Sequence, residues 1–276
     1  MPKAALARLS GIVLIFLGLT FSFVTNGFGV AHWGDWSIWE RGSEAMVLQR
    51  IEVDLLEIEA ARLGLADWGV GDESAFERLT PEGLETLEVT APREFVPYES
   101  EIGGQAYFWS WLWRDIGCSS ISCLHLASSA ITAAFIVALF LGLSWVGSAG
   151  LGLAWLVAIG ASPWITYAAR NLFWSPGLYF LPAIAAVGLV LARTRLWRSF
   201  ALLGVFVAFS VKYVGTGYHE FTALTMLAAA MPVIAIVFGK TQGLPARRQW
   251  INSFYVLVMS AVAPLLSASL SSQLYT

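Results

Sequence analysis

Long apolar runs separated by a few charges dominate the chain on both sides of one polar segment. A membrane-spanning helix needs roughly 20 apolar residues to cross about 30 Å of hydrocarbon. On that criterion the sequence predicts a first span, a pair of spans with a turn between them, and three further spans. These predictions cover about 9–27, 116–169 with the turn at 147–152, 170–193, 221–239 and 251–270. Pro182 is expected to bend the fourth span.

One more span is predicted from a shorter apolar run. Only residues 199–211 lie between Arg198 and Lys212, which is about 20 Å of helix at 1.5 Å per residue. To cross, this helix must continue past Lys212 toward Gly215 and Gly217. The whole pattern therefore predicts an all-α fold, a polytopic membrane helix bundle of about seven transmembrane helices.

The spans divide the chain into three parts. These are a first transmembrane helix over 1–30, a polar loop over 31–115 and a six-helix bundle over 116–276. Lys3 and Arg8 ahead of the first apolar run also fit a cleaved signal peptide. The run is long for one, however, and no clean small-residue cleavage site follows it, so a retained helix is predicted.

The polar loop carries helical signals of its own. Met46, Ile51 and Leu55 recur at helical spacing with charges on the other face, which predicts an amphipathic helix lying on the membrane or against the bundle. Thr80 followed by Pro81 predicts an N-cap with proline in the first turn of a second helix. The loop is thus expected to be partly helical.

Composition and charge agree with a membrane protein and exclude several other classes. The chain is 57% hydrophobic and 13% charged, against about a quarter charged in soluble domains. These figures exclude disorder, collagen, a coiled coil and a disulfide scaffold. Eighteen of the 19 acids lie between Asp35 and Asp115. This acidic block excludes nucleic acid as a partner, because binding phosphates needs clustered Lys and Arg.

The distribution of Lys and Arg predicts the orientation, because cytoplasmic loops of membrane proteins carry an excess of both. With the N-terminus in the cytoplasm, the short outside loops carry only Arg170 and Lys212. The inside ends carry Lys3, Arg8, Arg193, Arg195, Arg198, Lys240, Arg247 and Arg248. The sequence therefore predicts a multi-pass protein of a bacterial inner membrane with residues 31–115 outside. Interfacial tryptophans are expected at Trp109, Trp111, Trp113, Trp164, Trp174, Trp197 and Trp250.

No nucleotide-binding, metalloprotease or serine-hydrolase motif occurs. The three histidines are scattered, so no metal site is predicted, and the sequence leaves open whether a pigment or lipid cofactor binds. His125 fits a helix–helix hydrogen bond or a haem or chlorophyll ligand, and both remain open. Cys118 and Cys123 are expected in an oxidising compartment, where a disulfide would be structural. A continuous helix through both would hold the sulfurs apart, so that question is also open.

Five ionisable residues are candidates for chemistry. Asp35 and Glu44 lie next to the first span, although they also fit ordinary solvated acids. Arg170 and Lys212 are expected to approach one another and bind a lipid phosphate, although each would also be stable if its charge reached the membrane surface. Glu220 is a substrate-binding candidate, because acids at a membrane boundary are rare, or else the partner of Lys212 in an ion pair.

Four segments resemble a known family. They are SEAMVLQRI, PYESEIGGQAYFW, SPWITYAARNLFWSPGLYFLP and VKYVGTGYHEFTALTML. Together with the layout of one span, a long acidic loop and a string of spans, they are similar to a bacterial branch of GT-C-type polytopic membrane glycosyltransferases. The resemblance implies transfer of a sugar from a polyprenyl-phosphate donor at the outer membrane face.

The resemblance also implies roles for particular residues. An acid of the first outer loop acts as general base on the acceptor, which indicates Asp35 or Glu44, with Asp35 slightly favoured. Gln105, within the second resembling segment, is a further candidate for substrate binding. The sequence has two separate acids where this family usually has an adjacent pair. A minimal enzyme and a degenerate relative therefore both remain open.

Two other functions compete with sugar transfer. The high Trp and Phe content, the modest length and the missing acid pair also fit a non-catalytic accessory subunit of a larger photosynthetic, respiratory or envelope-building membrane complex. A transporter is disfavoured, because the spans offer too few ionisable residues for an ion path. Membrane lipids, including a polyprenyl-phosphate sugar, are the expected small partners.

Overall fold

A computed structural model provides the structure of the chain, and it describes residues 3–36, 40–58, 65–67, 74–90, 96–97, 102–217, 221–240 and 245–275. Within these residues the fold is helical apart from one antiparallel pair of two-residue strands, β1 (Ala66–Asp67) and β2 (Val96–Pro97). The first seven helices are α1 (Lys3–Thr25), α2 (Trp33–Trp36), α3 (Arg41–Leu55), α4 (Ala75–Arg78), α5 (Pro81–Glu85), α6 (Leu87–Thr90) and α7 (Gly104–Arg114). The other seven are α8 (Ile121–Val146), α9 (Ala149–Gly160), α10 (Pro163–Ala168), α11 (Gly177–Leu191), α12 (Arg195–Thr216), α13 (Phe221–Val237) and α14 (Ala246–Tyr275).

The apolar helices are those of a multi-pass membrane protein, as the sequence predicts. Within the described residues, four are long and apolar enough to span a bilayer: α1, α8, α12 and α14. The other three predicted spans correspond to shorter apolar helices, α9, α11 and α13. Of the about seven predicted spans, four therefore correspond to helices that are long enough to cross a bilayer.

Helix boundaries explain both the agreement and the shortfall. Helix α12 continues past Lys212 to Thr216, as its short apolar run requires. The turn between α8 and α9 lies at Gly147 and Ser148, at the start of the predicted turn. Helix α9 then ends after 12 residues, because Ser162 caps a new helix that begins at Pro163.

Helix α11 lies at the centre of the bundle, in contact with α8, α12 and α13. Pro182 lies inside this continuous helix, and the bend predicted there stays a prediction. Close approach between helices depends on small residues. A Cβ added at Gly142 of α8 would lie 2.9 Å from Cγ2 of Val187 on α11. The bundle core therefore depends on close packing of apolar and small side chains.

Helices α3 to α7 and the strand pair form a second region, called here the polar layer. Helix α3 packs against α7, and α7 also contacts α8 and α12 of the bundle. A Cβ at Gly104 would meet the backbone oxygen of Val214 at 2.8 Å, so glycine allows α7 to lie directly on α12. Thr80 caps α5 by accepting a hydrogen bond from the Gly83 N–H, as predicted.

The tryptophans of α7 correct one prediction. Trp109 and Trp113 are only 2% and 4% exposed and belong to the core between the polar layer and the bundle. Trp111, which is 47% exposed, still fits an interfacial position. The tryptophans of α7 therefore mainly form part of the protein core, because two of the three pack against α3 and the bundle.

Charged side chains of α3 are paired with other side chains of the protein. Arg78 donates to both carboxylate oxygens of Glu52, at 2.9 and 3.1 Å, and both side chains are buried. Arg50 forms an ion pair with Asp54 at 2.7 Å, and Asp54 also accepts from the Ser110 hydroxyl of α7. The polar side of α3 thus faces other protein elements.

Cys118 and Cys123 form a disulfide, which resolves a question that the sequence left open. Helix α8 begins only at Ile121, so Cys118 precedes the helix and its Cα lies 5.5 Å from that of Cys123. A single helix through both residues would have kept the sulfurs apart. The bond closes the connection between α7 and α8.

Candidate functional site

The segment 169–176, between α10 and α11, connects the polar layer to the bundle. Its carbonyl oxygens accept hydrogen bonds from side chains of α7 and α8. The donors are Gln105 to Phe173 O at 3.1 Å, Trp109 to Leu172 O at 2.9 Å, and Ser128 to Ala169 O at 2.9 Å. The side-chain oxygen of Asn171 accepts hydrogen bonds from the backbone N–H groups of Phe173 and Trp174 and so stabilises a local turn. This network fixes the position of Arg170.

Glu44 reaches this segment from the first turn of α3. One oxygen of its carboxylate, Oε1, lies 2.8 Å from Nε2 of His125 on α8 and accepts the backbone N–H of Leu172 at 3.0 Å. The residue is 2% exposed. Glu44 is therefore a buried acid that joins three elements, and the interpretation of it as a solvated acid is wrong.

The pKa of the Glu44 carboxyl is lowered from its ordinary value. Burial acts in the opposite direction and is the largest single influence, because it disfavours the charged form. The charge and hydrogen bond of His125, the Leu172 N–H and the charge of Arg170 together outweigh it. Glu44 is consequently a carboxylate at neutral pH.

Arg170 interacts electrostatically with Glu44. Its guanidinium carbon is 4.2 Å from the centre of the Trp36 ring, a cation–π contact. Burial lowers the pKa of Arg170, the charge of Glu44 opposes that shift and the charge of Arg41 adds to it. Arginine still remains protonated in proteins. We call Glu44, His125 and Arg170 the polar cluster.

A tight turn after α1 places α2 beside the polar cluster. The Asn26 side chain accepts from the backbone N–H of Ala31 and donates to its carbonyl oxygen. The next backbone N–H, that of His32, donates to the Tyr167 hydroxyl of α10 at 2.9 Å. These contacts position α2, whose last residue, Trp36, contacts Arg170.

Asp35, the first predicted base, is the residue before Trp36 in α2. Its backbone is therefore adjacent to a residue of the site, while its side chain lies outside the described part of the structure. Glu220, the third predicted acid, lies wholly outside the described residues. Their roles remain predictions.

Lys212 is fully buried in α12. Its Nζ donates to Gly217 O at 2.7 Å and lies 5.3 Å from the centre of the Tyr179 ring. The described contacts of Lys212 and Arg170 thus involve different neighbours. Their predicted joint anion site remains a prediction.

A cavity of about 600 Å³ lies next to segment 169–176. It is bounded by α7, α8, α11 and α12, and its wall includes Gln105, Trp109, Ser128 and Ser175. Among the described residues the Gln105 side-chain oxygen has no hydrogen-bond partner, while its nitrogen donates to Phe173 O. The predicted substrate-binding Gln105 is thus placed at the cavity, and no described contact joins it to Glu44, His125 or Arg170.

His125 was predicted to form a helix–helix hydrogen bond or to bind haem or chlorophyll, and in the structure it makes the first of these contacts, from α8 to Glu44 of α3. Its partner, Glu44, is 81 residues away in the chain, so no local spacing connects them. The nearest sequence signal was a histidine near the start of an apolar span, where polar groups need partners. In the part of the chain that the structure describes, no group of three or more His, Cys, Asp or Glu is arranged to bind a metal.

No protein-family model, curated protein sequence or solved structure matches this chain.

Proposed function

We propose that the chain is a GT-C-type membrane glycosyltransferase that transfers a sugar from a polyprenyl-phosphate donor at the outer membrane face. The observation that supports this most is the polar cluster. A guanidinium suited to phosphate interacts electrostatically with a buried carboxylate, which itself binds an imidazole, where a polar layer meets apolar helices. A donor with a charged phosphate and a hydrocarbon chain needs such a boundary.

The proposed reaction is a substitution at the anomeric carbon of the sugar. The acceptor hydroxyl forms a new C–O bond, the C–O bond to the lipid phosphate breaks, and the phosphate leaves with the electron pair. The hydroxyl proton passes to a protein carboxylate acting as general base. Arg170 binds the departing phosphate, because its planar guanidinium offers two parallel donors.

Asp35 is the proposed base. Glu44 already accepts two hydrogen bonds on Oε1, and the lowered pKa of its carboxyl makes it a weaker base. We therefore assign Glu44 and His125 to holding segment 169–176 and its Arg170 in place. Asp35 precedes Trp36, the residue that contacts Arg170, so the proposed base and the phosphate-binding group lie on neighbouring elements.

The proposed topology has seven crossings, with the N-terminus in the cytoplasm and the polar layer outside a bacterial inner membrane. Helices α9, α11 and α13 are short for independent spans, and we propose that they cross packed against longer neighbours. The excess of Lys and Arg at the predicted inner ends supports this orientation. An impermeant thiol reagent should label E77C from outside intact cells, because Glu77 is exposed.

Amide variants test the assignment in a transfer assay with a labelled polyprenyl-phosphate sugar and isolated membranes. D35N is expected to lose about 10²-fold or more in rate, because it removes a general base. E57Q is the matched control, since Glu57 is an exposed acid of the polar layer. Wild-type rates in both D35N and E44Q would show that neither acid is the base.

A non-catalytic accessory subunit is the second candidate, supported by the same carboxylate. Glu44 links α3 by hydrogen bonds to His125 of α8 and to Leu172 of segment 169–176. These contacts fit a purely structural role. Purification in mild detergent distinguishes the two functions. An enzyme is expected to purify alone and retain polyprenyl phosphate, and a subunit is expected to copurify with other integral membrane proteins in fixed ratio.

A further inference from the structure

The cavity between α7, α8, α11 and α12 is suited to an uncharged occupant. None of the described residues that line it carries a formal charge, and its surface is almost entirely apolar. Its volume of about 600 Å³ lies within the usual range for sites that bind small molecules. An ionised group would lose its hydration there without gaining a partner, so a charged ligand is excluded.

The cavity opens toward lipid, as the exposed face of α12 indicates. Large apolar side chains recur on that helix at intervals of three and four residues, and each is 41–66% exposed. They are Leu196, Phe200, Leu203, Val207 and Val211. In a helix long and apolar enough to span a membrane, such a stripe faces hydrocarbon. Val211 belongs both to this stripe and to the cavity wall.

The second side of the opening is formed by α7. Phe108 of α7 lines the cavity and is 40% exposed. Its neighbour Trp109 lines the interior and donates to Leu172 O of segment 169–176. A molecule in the cavity would therefore contact the bilayer on one side and the helix that supports segment 169–176 on the other.

We infer that the cavity binds one acyl chain of a membrane phospholipid, inserted sideways from the bilayer. The occupant must be neutral hydrocarbon where it touches the wall, and the opening lies on the lipid-facing stripe. Phospholipid acyl chains are the hydrocarbon that surrounds this stripe. The bound chain fills the space between α7 and α12 and supports the contact of the polar layer with the bundle. This inference does not depend on sugar transfer.

Photo-crosslinking in vesicles tests the inference. The full chain is reconstituted in phosphatidylcholine vesicles containing a lipid with a diazirine in its acyl chain, and adducts are mapped by mass spectrometry. Adducts are expected on Phe108, Ile131 and Val214, which line the cavity. Adducts confined to the outward stripe of α12 would overturn the inference.

A matched pair of variants separates the cavity from the general lipid surface. V211W fills the opening, while V207W adds the same indole one turn away on the same stripe, outside the cavity wall. V211W is expected to reduce cavity adducts about tenfold. The indole would displace about two methylene groups of the bound acyl chain, and losing their burial weakens binding by about that factor. V207W is expected to leave them unchanged. Equal effects of the two variants would contradict the inference.

A competing chain identifies the source of the occupant. Unlabelled polyprenyl phosphate, added at equal concentration to the diazirine lipid, is expected to leave the cavity adducts unchanged. If it displaces them, the cavity holds the isoprenoid chain and the inference is wrong, while proposed sugar transfer is unaffected. Variants that unfold are identified by loss of a cooperative thermal unfolding transition, and the competition experiment uses the wild-type chain alone.

Discussion

The polar layer and the helical bundle bury polar groups in different ways. In the polar layer, ionised side chains are buried in pairs, as with Arg78 and Glu52, and the buried carboxylate of Glu44 binds His125 of the bundle. In the bundle, hydroxyls dominate, and Ser128 and Ser253 donate to backbone oxygens of neighbouring segments. Charge pairs require a specific partner, whereas a hydroxyl requires only a nearby carbonyl. The polar layer should therefore be the more sensitive region to loss of one side chain.

Removing Arg78 should produce the largest effect. R78A removes the guanidinium that binds both carboxylate oxygens of the fully buried Glu52, and breaking a buried ion pair costs about 3–5 kcal/mol. R195A is the control in the bundle, because Arg195 is exposed and such changes usually stay within about 0.5 kcal/mol. Denaturant unfolding in detergent, followed by tryptophan fluorescence, measures both. Similar losses for the two variants would abolish the distinction between the regions.

The Glu44 pair should produce a smaller effect that depends on pH. The pKa of folded Glu44 lies below the ordinary value of 4.5, so the unfolded chain binds the proton more readily. Its stabilising contribution is therefore present above that ordinary pKa and is lost as the pH falls through the lower pKa of the folded state. E44Q should cost about 1–3 kcal/mol at neutral pH.

The measurement is the difference in unfolding free energy between wild type and E44Q from neutral to acidic pH. The two curves are expected to converge as the pH falls below the ordinary range of a glutamate. E57Q, at an exposed position, should follow the wild type throughout. A constant difference between wild type and E44Q at every pH would show that the carboxylate charge contributes nothing.

The sequence predicted features that depend on adjacent residues. The cap at Thr80, the extension of α12 past Lys212 and the turn at Gly147 each follow from a short local pattern. The early end of α9 had a similar signal, Ser162 followed by Pro163. The average hydropathy did not reveal this helix end, because the uncharged run continues past Ser162 and Pro163.

The candidate site depended on contacts that no local pattern records. Glu44 and His125 are 81 residues apart, and Glu52 and Arg78 are 26 apart. The sequence placed charges on one face of α3, but it does not show what packs on that face. The acids and Arg170 could be named as candidates, but only the fold brings Glu44 close to Arg170.

Helix caps should produce the smallest effect and should not differ between the two regions. Thr80 caps α5 in the polar layer and Ser148 caps α9 in the bundle, and each side chain accepts a backbone N–H at 3.1 Å. Both residues are half-buried. Because a cap satisfies an N–H of its own helix, T80A and S148A should each cost about 1 kcal/mol.

T80S and S148T keep the hydroxyl and should retain most of the stability. Unfolding measurements on the four variants give the comparison. If S148A costs several times more than T80A, the cap bond depends on its surroundings, and the contrast between the regions extends beyond charged groups.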